Sequence, residues 1–210
     1  MMRTAILNVM IFLAAASLSA GNYETTMKQA ISEMYQSTDA SELEALAGKF
    51  FRIGEAEGDK WMPYYYAAYA YISITFNIED ADAIDKHLDK AQEMIDKAMA
   101  IAPKESELFV LQGLLHSMRI TSPTRGMKYS MLSNNALAEA EKLNPDNPRL
   151  WFCKAQNVYH TPAMFGGGEE KALPLYEKAA GLFDTFEPPH ELWPAWGKEY
   201  NAEQIERISD

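Results

Sequence analysis

The sequence has one cysteine in 210 residues, so no disulfide can form within a single chain. It also lacks the alternating apolar pattern of strands. No apolar stretch beyond the first 20 residues is long enough to span a membrane. Basic residues are scarce too, since Lys and Arg total 19 against 30 Asp and Glu. So acidic a chain repels phosphate backbones and anionic lipid surfaces, which argues against nucleic acid as a partner.

The first 20 residues have the three parts of a secretory signal. Arg3 supplies positive charge, residues 5–18 are apolar, and small residues lead up to Ala20. The apolar run is shorter than the ~20 residues that a membrane span needs. We therefore expect cleavage near Ala20 and export to the periplasm or the medium. The mature chain would begin near Gly21, with 18 basic and 30 acidic residues and a net charge of −12.

Three consecutive glycines, Gly166 to Gly168, precede a helical pattern in an arrangement that can cradle phosphate. A P-loop also needs a Gly-Lys-Ser/Thr step, whereas Glu169 and Glu170 follow here. Two carboxylates in the first turn of a helix would repel an anion at its positive end. The glycines are therefore interpreted as a loop between two helices. The single cysteine, Cys153, lies in the preceding helical stretch and is expected to be a buried structural thiol.

Helical segments repeat along the chain from residue 61 to residue 183. Pro103 and Pro145 each stand six residues before a bulky aromatic, and a small residue follows that aromatic four positions later. The second helix of each unit carries small residues at i and i+7 and a large residue at i+4. These positions are Ala68, Gly113 and Ala155 in the first helices, and Ala91/Ile95/Ala98, Ser133/Leu137/Ala140 and Ala172/Tyr176/Ala179 in the second helices. Small residues let paired helices approach to ~8–10 Å.

This pattern resembles the tetratricopeptide repeat (TPR), which reads W-x2-L-G-x2-Y, then A-x3-F, then P. The resemblance identifies the chain as a secreted bacterial TPR-like protein with long insertions inside its repeats. It implies an all-α, right-handed α-solenoid of three to four helix pairs with a C-terminal capping segment. The insertions fall between the two helices of each repeat, so all three lie along one edge of the stack.

The expected organisation is a signal peptide followed by one helical domain. Its boundaries are 1–20 for the signal and 21–210 for the domain, divided into an N-terminal helix pair (21–58), three repeats (59–103, 104–145 and 146–186) and a capping segment (187–210). An open solenoid end exposes an apolar face that must be covered. Trp193 and Trp196, in the proline-rich capping segment, are expected to cover the last repeat.

The resemblance also implies a binding surface, because in this family the first helix of each repeat lines a concave groove that commonly binds peptides. The implied groove residues are Tyr65, Tyr69, Val110, Leu114, Phe152, Gln156 and Tyr159. Tyrosine suits contact surfaces, since it combines apolar area with a polar tip. The alternative is that these side chains pack against a neighbouring helix or the C-terminal segment. The lysines and asparagine with which the family clamps acidic chaperone tails are absent from these positions.

Met164 and Phe165 are two large apolar residues in a loop that is otherwise small and polar. Such side chains dock either on the protein itself or on a partner. We expect docking on the protein itself to be the commoner outcome, and we keep both residues as candidate binding residues on the loop edge.

No metal or cofactor site is expected. The four histidines form no H-x3-H or H-E-x-x-H pair, and the acidic run from Asp80 to Asp89 lacks the glycine and final glutamate of a calcium loop. A nucleophile elbow is also absent. The sequence therefore predicts a non-enzymatic protein–protein interaction or assembly module in the bacterial envelope. The alternative is a small-ligand (solute) binding protein that uses the same groove.

Overall fold

The computed structural model describes residues 22–209, so the predicted signal at 1–20 lies outside the described residues. This part of the chain is helical, with two short 3-10 turns at Thr75–Asn77 and Ala163–Phe165 and no strand. The α-helices are α1 (22–36), α2 (Ala40–Glu57), α3 (Met62–Ile74), α4 (Ala81–Ile101), α5 (Ser106–Met118), α6 (Pro123–Leu143), α7 (Pro148–His160), α8 (Glu169–Thr185) and α9 (Lys198–Ser209).

Side-chain caps fix where several helices begin. Asp39 accepts hydrogen bonds from the backbone N–H groups at the start of α2, Asp80 does so for α4, and Asn147 does so for α7. These bonds satisfy N–H groups that have no partner inside the helix. Pro123 and Pro148 occupy the first positions of α6 and α7, where the missing N–H costs nothing.

Successive helices pack against each other and build a stack of antiparallel hairpins. The pairs α2/α3, α3/α4, α5/α6 and α7/α8 form the largest contacts, and α3, α5 and α7 also touch in turn. Since short connections make sequential helices antiparallel, α1, α3, α5 and α7 run parallel to one another. Their C-terminal ends meet at one edge of the stack, which we call the turn edge. The predicted all-α helical solenoid is confirmed.

Small residues set the spacing inside the second repeat, as predicted. A Cβ atom on Gly113 would lie 2.7 Å from Leu137 Cδ2, so only glycine fits there without displacing the leucine. The Ser133 hydroxyl donates a hydrogen bond to the Gly113 carbonyl oxygen at 2.8 Å. Contact between α5 and α6 therefore depends on both small residues.

A buried ion pair ties the second repeat to the third. Arg149 on α7 donates to Glu107 on α5 at 2.7 Å, and their side chains are 2% and 1% exposed. Asn147 adds a hydrogen bond from its amide to the same carboxylate at 3.0 Å. Loss of one partner would leave a charge buried and unpaired, which costs about 3–5 kcal/mol.

Cys153 is a buried free thiol, as expected, and burial raises its pKa far above the usual range. It is therefore a packing residue in the core shared by α7 and α8. Within residues 22–209, no helix is both long enough and apolar enough to cross a membrane.

Candidate functional site

The segment that connects α8 to α9, residues 186–197, crosses the concave face of the stack and is called the strap below. Tyr66 on α3 donates its hydroxyl to the Leu192 carbonyl oxygen at 2.8 Å. The Ala195 N–H donates to the Tyr35 hydroxyl on α1 at 3.2 Å. An ion pair between Lys28 and Glu191 adds a further link to α1. The strap thus reaches from the last repeat to the first helix.

Trp196 fills the centre of the concave groove. Its indole stacks on Tyr69 with ring centroids 5.3 Å apart and meets Phe152 edge-on at 6.1 Å. The other strap tryptophan, Trp193, packs edge-on against Trp61 at 5.5 Å. The prediction that both tryptophans cover the last repeat is therefore confirmed for Trp196, which packs on Phe152, and wrong for Trp193, which packs on Trp61 before the first repeat's helix α3. Prolines keep the strap extended, so it reaches across the groove while α9 packs on α8 instead.

The predicted groove residues differ in how accessible they are. Tyr65, Val110 and Phe152 are buried, whereas Tyr69, Leu114, Gln156 and Tyr159 are partly exposed. The Tyr159 hydroxyl donates to Glu169 at 3.3 Å, and the Arg207 guanidinium lies 4.9 Å from the centre of the Tyr159 ring. The strap and α9 therefore occupy much of the surface on which binding was predicted, and a binding role for these residues stays a prediction.

The glycine run after α7 is the inter-helix turn that was predicted. Gly166 and Gly168 have φ of +86° and +105°, which favour glycine. A Cβ atom on Gly167 would lie 2.2 Å from the Thr161 carbonyl oxygen, so this glycine is needed for close packing of backbone.

The same turn presents Met164 and Phe165 outward. These side chains are 84% and 73% exposed, so the expectation that they dock on the protein itself is wrong. The tight glycine turn explains the result, because it holds the 3-10 segment away from the groove. Both residues remain available to a partner or ligand.

Met164 and Phe165 belong to a larger group of exposed apolar side chains at the turn edge. Among the described residues, seven of the nine large apolar side chains that are exposed lie there, so the distribution is uneven. Five of them lie in or next to the α5–α6 and α7–α8 connections, two of these on the first turns of α6, and are called the apolar rim. The apolar rim consists of Ile120, Met127, Met131, Met164 and Phe165.

The two hairpins that carry the apolar rim are neighbours. Asn157 near the end of α7 donates hydrogen bonds to Ser133 and Asn134 on α6 at 2.8 and 3.0 Å. Met131 is therefore less than one turn from residues that α7 contacts. Met127 and Met131 are not among the predicted site residues, although their i, i+4 spacing in a polar stretch could have indicated a shared exposed face.

The α5–α6 part of the apolar rim carries three basic residues, of which Arg119 and Arg125 are paired with acids on α4. Residues 117–132 contain Arg119, Arg125 and Lys128 but no acid. Arg119 and Arg125 pair with Asp85 on α4 at 2.9 and 2.8 Å, and these bonds hold the pKa of that carboxyl below its usual range. Lys128 makes no ion pair with a described residue, and its ammonium lies 5.0 Å from the centre of the Tyr129 ring.

The other part of the turn edge, between the α1–α2 turn and the end of α3, holds a small cavity. It measures about 160 Å³ and is called the first-turn pocket. Tyr35, Tyr69 and Phe76 supply its aromatic walls, so Tyr69 is the predicted groove residue that lines it. Ligand pockets for whole drug-sized molecules measure ~300–1,000 Å³, so only a small group fits inside.

Residues 22–209 were also compared with the ligand sets of metal centres. Their His, Cys, Asp and Glu side chains form no group of three or more that could hold an ion. Burial lowers the pKa of His87, His116 and His160, which favours their neutral form.

One comparison with known proteins concerns the fold of the chain, and another concerns its family. No protein-family model and no curated protein sequence matches the chain. A thermophilic TPR protein from Thermus thermophilus has a TM-score of 0.54 at 18% identity, with 92% of this chain and 95% of that chain covered. At that identity the likeness shows the fold alone, and it confirms the TPR-like architecture.

A second solved structure is more similar. The HusA haemophore from Porphyromonas gingivalis matches with a TM-score of 0.80 and 31% identity, covering 89% of this chain and 92% of that chain. Such identity over nearly the whole of both chains shows that the two proteins belong to one family. This chain belongs to the family of the HusA haemophore.

Proposed function

We propose that the chain is an extracytoplasmic, non-enzymatic binding protein that carries haem or a closely related tetrapyrrole on the apolar rim. The proposal follows the small-ligand alternative from the sequence but moves the site from the groove to the turn edge. It is supported by kinship with a protein described as a haemophore. Haem is cargo in this proposal, not a resident cofactor.

The single observation that carries the location is the cluster of exposed apolar side chains on two adjacent hairpins. Met127 and Met164 are 88% and 84% exposed, which is costly unless something covers them. Methionine is flexible and polarisable, so it adapts to a flat aromatic surface. A porphyrin ring laid on the apolar rim would remove this surface from water, at about 25 cal/mol per Å².

Charge supports the same location. Haem carries two carboxylates on one edge of an apolar ring, so its site needs a cation beside an apolar surface. Lys128 lies between Met127 and Met131 in sequence and has no carboxylate partner among the described residues. The first-turn pocket is less suitable for carboxylates, because the charged residues in the segments around it are acidic.

Absorbance titration of the mature protein, residues 21–210, with haemin tests the proposal. We expect a saturable shift of the porphyrin absorption band with wild type, and at least about tenfold weaker binding by the double variant Met127→Gln/Met131→Gln. Leu143→Gln is the matched control, because this exposed residue lies at the other end of α6. A wild type without saturable binding overturns the function, and a double variant that binds like the control overturns the location.

A second candidate, docking of a partner protein, is favoured by the exposed pair Met164 and Phe165. This pair lies in a loop, where interaction residues concentrate. The double variant Met164→Gln/Phe165→Gln separates the two functions. Unchanged haemin affinity, with loss of a crosslinked partner from the envelope fraction of the source cells, would assign the loop to protein binding.

Export is part of the proposal and rests on residues 1–20. We expect N-terminal sequencing of the protein from its natural source to begin between Ala20 and Asn22. A soluble form that retains Met1 would contradict export.

A further inference from the structure

The first-turn pocket combines aromatic walls with a small volume. Tyr35 and Phe76 are 40% and 50% exposed, and the Tyr35 and Tyr69 rings meet at 6.1 Å with planes inclined by 62°. Tyr69 is held on its other side by the stacked indole of Trp196. Tyr35 and Tyr69 are therefore held by their ring contacts, and together with Phe76 they line a cavity of about 160 Å³, which admits roughly one side chain.

Three of the hydroxyl groups in the wall are already engaged. The Ser73 hydroxyl donates to the Tyr69 carbonyl oxygen at 2.8 Å, and the Ser37 hydroxyl donates to Glu42 at 2.7 Å. The Tyr35 hydroxyl accepts the Ala195 N–H of the strap. An occupant thus meets mainly aromatic rings, with Thr38 and Asn77 as the other polar side chains of the wall.

Charge around the pocket has one sign. The residues that line it come from 34–43 and 69–77 and carry no charge themselves. These segments, together with residues 78–82 that follow, contain five acids and no base. The acids are Asp39, Glu42, Glu79, Asp80 and Asp82. Asp39 and Asp80 cap α2 and α4, and hydrogen bonds from Ser41 and the backbone hold the pKa of Asp39 below its usual range. The first base further along α4 is Lys86.

We propose that the first-turn pocket binds a lysine or arginine side chain from a basic segment of a partner protein. Aromatic faces attract alkylammonium and guanidinium ions, and surrounding carboxylates strengthen the attraction. The five acids lie at the start of α2 and between α3 and the first turn of α4, next to the segments that line the cavity, so they complement several positive charges in a row. A basic polypeptide supplies such a row, whereas a single small cation does not.

This site is independent of the proposed cargo site. Lys128 on the apolar rim is a cation without an ion pair among the described residues, while the charged residues in the segments around the first-turn pocket are all acids, so the two sites differ in charge. A carboxylate-bearing ligand and a basic partner segment would therefore occupy opposite ends. A partner could bind at the pocket while the cargo site stays filled.

The test titrates the mature protein with the probe acetyl-Lys-Lys-Lys-amide (trilysine) at low ionic strength. Binding is followed by the NMR signals of the aromatic rings. We expect the Tyr35 and Phe76 ring signals to shift in a saturable manner and the affinity to fall with added salt. Phe76→Leu keeps the apolar volume but removes the ring, and should weaken binding about two- to fivefold. Asp39→Asn and Asp80→Asn should also weaken it, because asparagine preserves the helix cap while removing the charge.

Three controls make the outcome decisive. Tyr200→Leu, at an exposed ring on α9, should bind the probe like wild type. Ring signals that do not respond to trilysine in the folded protein overturn the proposal, and so does equal binding of acetyl-Ala-Ala-Ala-amide. If tetramethylammonium binds as tightly as trilysine, the pocket recognises a small cation and the proposal of a basic protein segment is overturned. Haemin binding plays no part in these measurements, so failure here leaves the cargo proposal untouched.

Discussion

Trp196 donates its indole N–H to the Tyr65 hydroxyl at 2.7 Å, across 131 residues of sequence. Both side chains are buried, so the bond is made away from water. The indole also stacks on Tyr69, which makes it the main anchor of the strap on α3. The concave groove is consequently part of the core at this point, and the open surface of the protein is displaced to the turn edge.

Trp196→Phe should lower the free energy of unfolding by about 1–3 kcal/mol. Phenylalanine keeps most of the aromatic packing but leaves the buried Tyr65 hydroxyl without this donor. Urea unfolding followed by circular dichroism measures the change. Tyr200→Phe is the control, because its half-exposed side chain should change stability by no more than ~0.5 kcal/mol. Equal stability of the two variants would mean that the strap is not packed in solution.

The fold could be predicted from the sequence because its determinants are local. Pro103 and Pro145 mark helix boundaries, and the small residues Gly113 and Ser133 mark a close helix contact. Each of these effects acts within a hairpin, so the spacing along the chain reveals it. The caps at Asp39 and Asp80 likewise depend on residues two or three positions away.

Gly113→Ala and Gly126→Ala should change stability in opposite directions. At Gly113 the new methyl group would lie 2.7 Å from Leu137, and such overpacking costs about 1–3 kcal/mol. At Gly126, also inside a helix, a methyl group would meet nothing within 4 Å. Alanine there should stabilise the protein by about 0.5–1 kcal/mol through helix propensity. Thermal unfolding of both variants checks the prediction, and a shift of the same sign would contradict the helix register.

The candidate site was harder to predict, because exposure depends on contacts between distant segments. Tyr65 and Phe152 occupy positions that face the groove in a TPR, but the strap covers them from more than 40 residues away in sequence. Nothing in the pattern around Tyr65 reveals that Trp196 will bond to it. Met127 and Met131 show the converse, since helical spacing of apolar residues usually means burial and here marks an exposed face.

The stability of the α4–α6 contact should depend on pH through Asp85. The guanidinium groups of Arg125 and Arg119 lower the pKa of this carboxyl in the folded state. A lowered folded-state pKa adds stability that is present above the unfolded pKa of ~3.9 and is lost as pH falls through the folded value. The stability advantage of wild type over Asp85→Asn should therefore be largest near pH 7 and shrink below about pH 4. Urea titrations at pH 7, 4 and 3 measure it, and an advantage that grows toward pH 3 would contradict the assignment.

Lys128→Glu should weaken haemin binding without changing stability. Lys128 is exposed beside Met127, and charge reversal at such a site usually alters folding by no more than ~0.5 kcal/mol. A surface charge pair contributes about 0.2–1 kcal/mol, and reversal adds repulsion to that loss, so the affinity for the haem carboxylates should fall about two- to tenfold. Lys104→Glu is the matched control, since it makes the same change in net charge at the opposite edge of the stack. Isothermal titration at two salt concentrations distinguishes the cases. If Lys128 contacts the haem carboxylates, only Lys128→Glu should bind haemin more weakly, and its affinity should depend less on salt. An equal loss of haemin affinity in both variants would show that only net charge matters and that the carboxylates lie elsewhere.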